Sequence, residues 1–149
     1  MATIRLVPPV YFLLSLIAMA ALHRFLPLVT VLRPPITGLA AVPILAGMVF
    51  GPGAILAFRR QGTSVHPFHQ PTALVTTGPY RYSRNPMYLA LALVLVAVAT
   101  WLGTLSPGVV VPLFLLAIQQ RFILNEERRL TAAFGTAYLE YRHRVRRWL

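Results

Sequence analysis

An all-α integral membrane bundle of about four transmembrane helices, with a C-terminal cytoplasmic amphipathic helix, is the fold class this sequence predicts. Three observations lead there. Hydrophobic residues make up 57% of the 149-residue chain and charged residues only 11%, against roughly 25% charged in ordinary soluble domains. Four apolar segments approach the length needed to cross a bilayer, about 20 residues. The arginines gather at one set of ends of those segments. So much apolar surface exceeds what a soluble core of this size can hide. By length the chain is a single domain over 1–149.

The first expected span runs from about residue 6 to 26, interrupted near its start by Pro8-Pro9 and near its end by His23-Arg24. It has no small-residue cleavage site followed by a soluble domain, so it reads as a retained span rather than a signal peptide. The second, about 36–58, is irregular. Gly38, Pro43, Gly47, Gly51, Pro52 and Gly53 allow close backbone packing where neighbouring helices cover them. The third and fourth, about 87–102 and 106–124, are separated only by Gly103-Thr104-Leu105. They must form a tight antiparallel hairpin.

All fourteen basic residues are arginine, against three acids, Glu126, Glu127 and Glu140. Arg59, Arg60, Arg81 and Arg84 lie between spans two and three. Arg128, Arg129, Arg142, Arg144, Arg146 and Arg147 follow span four. With four spans these regions share one side with Arg5, and the other side keeps Arg24 and Arg33. The positive-inside rule then places both termini and the 59–86 connection in the cytoplasm. In a bacterial cell the membrane would be the inner one. Residues 125–149 read as a helix: Leu130, Phe134, Tyr138, Tyr141, Val145 and Trp148 make one apolar stripe with an arginine-rich reverse face. Gly135 is expected to break or bend it.

Several classes of function recede. A net charge of +11 can signal nucleic acid, but no basic surface domain remains once the spans are removed. Anionic lipid headgroups suit these arginines better. The chain lacks cysteine, so thiolate chemistry and disulfides are excluded. His66 and His69 sit in the polar connection without nearby acids, and no metal site is assigned to them.

Two polar clusters remain. Gly78–Tyr88, GPYRYSRNPMY, precedes span three. Its ordinary reading is a helix start: Asn85 as N-cap, Pro86 at the first helical position, tyrosines in the interfacial belt. Gln119-Gln120-Arg121 and Asn125-Glu126-Glu127 fall near the end of span four. Paired carboxylates at the membrane surface either meet arginines on an exposed turn or face a wet cavity. The hairpin decides where they meet. Its open end brings the start of span three beside the end of span four, so hydroxyls, amides, carboxylates and guanidinium groups converge next to an apolar bundle. Such a place suits a polar cofactor and a lipid-like substrate.

The order LVTTGPYRYSRNPMY, hairpin, NEERRL, FG and YLEYRHRV resembles the integral membrane methyltransferases of the isoprenylcysteine carboxyl methyltransferase and phospholipid methyltransferase type. The resemblance covers about 59–149 and implies S-adenosyl-L-methionine as cofactor, without a Rossmann domain. It implies that Thr72, Ala73, Leu74 and Val75 line the cofactor from the connection. Tyr80, Asn85, Pro86, Met87 and Tyr88 would contact it, with Glu126 holding it and Glu127 as companion acid. Arg121, offset in register, is the candidate on the acceptor side, with Tyr88 beside the reacting groups. Asn85 stands where the isoprenylcysteine branch has histidine, and asparagine cannot accept a proton near neutral pH. The implied partners are a lipophilic or small-molecule methyl acceptor (carboxylate, thiol or amine) and membrane lipids. Two alternatives stay open: a membrane NADPH-dependent reductase of the steroid-reductase type, and a non-catalytic membrane partner protein.

Overall fold

The computed structural model describes residues 7–62 and 72–149, all helix and connecting segment apart from one isolated bridge. Arg5, His66 and His69, and the first residue of the expected first span, lie outside the described residues. Helix α1 spans Pro8–Phe25. Its two prolines begin the helix instead of interrupting it, because the first N–H groups of a helix have no intrahelical acceptor to lose. After an extended crossing, a 3-10 turn at Ile36–Ala40 leads into α2, Ala41–Arg60. Helix α3 spans Pro86–Leu102.

Helix α4 runs from Leu105 to Arg144 over 40 residues. A turn at Val109 and a π-helical turn at Gln119–Ile123 interrupt its regularity. No break separates the expected fourth span from the tail, since Leu124 to Arg129 hold nothing that ends a helix. The bend comes at Gly135, as its residue type predicts, with φ 51° and ψ −124°. The helix stops at Arg144. Val145 and Trp148 continue the apolar spacing of the sequence but lie beyond it, where Val145 is already extended.

α1, α2 and α4 are long and apolar enough to cross a membrane. α3, at 17 residues, rises about 25 Å, and it is the most enclosed. Leu89, Ala90, Ala92, Leu95 and Ala97 are all buried, because α3 touches the other helices in turn. α2 lies close against it: a β-carbon on Gly47 would sit 3.3 Å from the Ala90 carbonyl oxygen. Leu13, Ile17, Leu45, Met48, Leu113 and Leu116 point outward, exposed on the protein surface. In water such a surface would aggregate; in a bilayer it is the lipid face.

The core divides in two. Met19, Leu95, Phe114, Ile118, Phe122 and Ile123 fill the bundle, and Ala54, Ala57, Val75 and Tyr80 form a smaller cluster beneath the connection into α3. The bundle is stitched at the hairpin end. Gly103 takes φ 68° and closes α3 with its N–H on the Ala99 carbonyl. Its own carbonyl accepts the N–H groups of Val31 and Leu32 at 2.8 and 3.0 Å. The opposite end, where α3 begins, is left wide and polar.

Candidate functional site

At that wide end the hairpin delivers what its connectivity demands. Tyr88, in the first turn of α3, donates a 2.6 Å hydrogen bond to Glu126 Oε1 on α4. Around the pair lies a cavity of about 710 Å³, within the usual range for a small-ligand site. Val7, Pro8, Leu91 and Leu130 supply apolar wall; Tyr80, Arg84, Asn85, Glu127 and Arg129 supply polar groups. Phe58 closes the α2 side against Tyr80, with ring centroids 5.4 Å apart. Tyr80 is brought here by a 3-10 turn, Gly78–Arg81. A β-carbon on Gly53 would come within 2.9 Å of the Pro79 ring, so α2 admits that turn only because residue 53 has none.

Most of the residues singled out in the sequence line this space: Ala73, Leu74, Val75, Tyr80, Asn85, Met87, Tyr88, Glu126 and Glu127. Three do not. Thr72 is exposed, and Pro86 is buried as the first residue of α3. Arg121 is exposed within the π-helical turn, its carbonyl accepting the Asn125 side chain at 2.8 Å. The arginine that α4 contributes to the wall is Arg129, one helical turn beyond Glu126. Sequence spacing could have found it, because i and i+3 share a helix face.

The two acids have different surroundings. Glu126 lies past the apolar part of α4. Burial raises its pKa, and the Tyr88 hydrogen bond and the Arg129 charge oppose that only in part. Glu127 is held below the usual carboxylate range: burial would raise it, but the Arg147 hydrogen bond and the charges of Arg84, Arg147 and Arg142 outweigh burial. Arg147 meets it with a two-pronged contact, Nε to Oε1 at 2.9 Å and Nη2 to Oε2 at 2.8 Å. Arg84 Nη1 adds a third contact at 3.0 Å and also donates to the Tyr138 hydroxyl at 3.2 Å. Arg84 Nε, buried in the same wall, has no acceptor among the described residues.

Asn85 departs from its expected part. It sits at the N-cap of α3, yet its side chain makes no capping bond. Its amide instead donates to the Arg147 carbonyl at 2.9 Å. Tyr141, from the tail of α4, donates to the Tyr80 carbonyl at 2.7 Å and so ties the tail to the connection.

Fold and site together define a helical integral membrane protein with a mainly apolar cavity, carrying a few ionic groups, where α3 and α4 part. Residues 36–137 match the model of the phospholipid methyltransferase family, and the chain belongs to that family of membrane methyltransferases. It is also similar to an uncharacterized protein of Haemophilus influenzae, 44% identical over 63 residues, which are 42% of this chain and the whole of that relative. No solved structure matches.

Proposed function

We propose that the protein is an S-adenosyl-L-methionine-dependent methyltransferase that modifies a lipophilic acceptor, with its cavity and both termini on the cytoplasmic side. The observation that carries this is the Tyr88–Glu126 pair set in a cavity whose remaining wall is partly apolar, in a chain of this family. The donor set fits the cofactor's chemistry. Glu126 can accept from ribose hydroxyls, and the buried Arg84 Nε offers a donor to a carboxylate. The rings of Tyr80 and Tyr88 suit both an adenine face and a sulfonium cation. When bound, the cofactor supplies a methyl group on that sulfonium.

The chain's own residues do the rest. Ala73, Leu74, Val75 and Met87 would enclose the nucleoside and exclude water, while Glu126 and Tyr88 orient it. Val7, Pro8, Leu91 and Leu130 would receive the apolar part of the acceptor. Arg129, rather than the exposed Arg121, is the guanidinium we assign to orienting the acceptor's polar group. Displacement at a methyl group needs alignment more than proton transfer, so positioning would supply most of the rate.

The test is a calorimetric titration of the protein in detergent with S-adenosylhomocysteine and, separately, with NADPH. Binding of the first alone, lost in Glu126→Gln, is the expected result. Binding of NADPH alone would support a reductase, and indifference to both would support a non-catalytic membrane protein.

A further inference from the structure

Beyond α4 the chain turns back along the outside of the cavity wall. The Arg84 N–H donates to the Arg146 carbonyl at 3.0 Å. The Arg147 carbonyl accepts twice, from Asn85 Nδ2 at 2.9 Å and from Ser83 Oγ at 3.3 Å. The Arg147 guanidinium grips Glu127. Trp148 donates to Gln119 Oε1 at 3.3 Å, in the π-helical turn, and packs on the bundle core. Residues 145–149 do not line the cavity, yet three residues that do, Arg84, Asn85 and Glu127, are held by them.

This arrangement reassigns two polar side chains. Glu127 has both oxygens occupied by guanidinium groups of its own chain, and the Asn85 amide is spent on a backbone carbonyl. Glu127 is therefore not free to be the ligand's main partner and Asn85 is pinned from behind, whereas among the described residues Glu126 engages a tyrosine hydroxyl and the neighbouring Arg129 charge. We infer that residues 145–149 form a strap that fixes the cavity wall from behind. Arg147 is its positioning residue, acting on the bound nucleoside through Asn85 and Glu127. A two-pronged arginine contact fixes direction as well as distance. A loosened strap would therefore let the start of α3 and the carboxylate turn of α4 move apart, and Tyr88 and Glu126 are carried on those two segments.

The inference rests on the cofactor reading for its ligand, so the experiment has two arms. In detergent, Arg147→Met in the full-length protein removes the fork at similar length, Arg147→Lys keeps the charge without it, and a shortened chain ends at Arg144. Amide hydrogen exchange of residues 83–85 is measured without ligand, and S-adenosylhomocysteine affinity is measured on the folded fraction. The expected result is faster exchange at Arg84 in Arg147→Met and in the shortened chain. Affinity should fall by about tenfold or more, the scale of one charge-assisted hydrogen bond, with Arg147→Lys in between.

Unchanged affinity with a folded variant overturns the positioning role, and a rise in affinity overturns it too, by making the strap a competitor. If the unaltered protein binds no S-adenosylhomocysteine, the cofactor reading falls, and the exchange arm alone decides. Unchanged exchange at Arg84 then overturns the strap, and faster exchange sustains it. Should Arg147→Met not fold, the lysine variant carries both measurements.

Discussion

Replacing Glu127 by glutamine keeps the side-chain volume and removes the charge that two guanidinium groups share. The side chains of Glu127 and Arg84 are 10% and 8% exposed, and that of Arg147 29%. Breaking a buried pair by removing one partner costs about 3–5 kcal/mol, because the other charge is stranded. Arg147 can turn toward water and Arg84 cannot, so the lower end applies, about 3 kcal/mol. The assay is reversible unfolding in mild detergent with rising SDS, followed by tryptophan fluorescence. Glu140→Gln, on an exposed position of the same helix, is the control and should stay within about 0.5 kcal/mol.

Acidity adds a second signature. Glu127 has a depressed pKa in the folded protein, so its contribution is complete above the unfolded value, about 4.3. It is lost as pH falls through the lower, folded value. The gap between wild type and Glu127→Gln should therefore narrow below about pH 4. Equal midpoints at neutral pH, or a gap that does not change on acidification, would refute the reasoning.

Two further outcomes follow from single contacts. Tyr88→Phe removes the 2.6 Å bond that orients Glu126, and calorimetry should find S-adenosylhomocysteine binding about tenfold weaker; unchanged binding would take Tyr88 out of the site. Gly103→Ala puts a β-carbon 2.5 Å from the Leu32 carbonyl oxygen at a φ of 68°, so the unfolding midpoint should fall by at least the left-handed penalty, about 1–2 kcal/mol, and an unshifted midpoint would mean that this end of the bundle is not closed as described.

The apolar spans, the hairpin and the meeting of the Gly78–Tyr88 and Asn125–Glu127 segments were legible in the sequence because each rests on a strong rule: span length, a connection too short to wander, and antiparallel neighbours. Gly135 announced its bend for the same reason. The strap was not legible. Its acceptors are backbone carbonyls of Arg146 and Arg147, which carry no residue signature, and Val145 and Trp148 fall on the helical spacing that the chain has already abandoned. Asn85 has the right residue type for a cap, yet its side chain is turned to donate to the Arg147 carbonyl and makes no capping bond. Arg121 came from the resemblance alone, with its register already offset, and in the structure it lies exposed in the π-helical turn at Gln119–Ile123.

That wider turn has a consequence of its own. One extra residue in a helix shifts everything downstream by about 100° in rotation. The half of α4 before Gln119 is phased to the bundle, with Phe114 and Ile118 inward; the half after Ile123 is phased to the cavity, with Glu126, Glu127 and Leu130 along it. The turn works like a keyed joint between two shafts, each indexed to a different neighbour. Removing a single residue there would leave the membrane half seated and swing the carboxylates away from Tyr88, so chain length between Ile118 and Leu124 matters as much as residue identity.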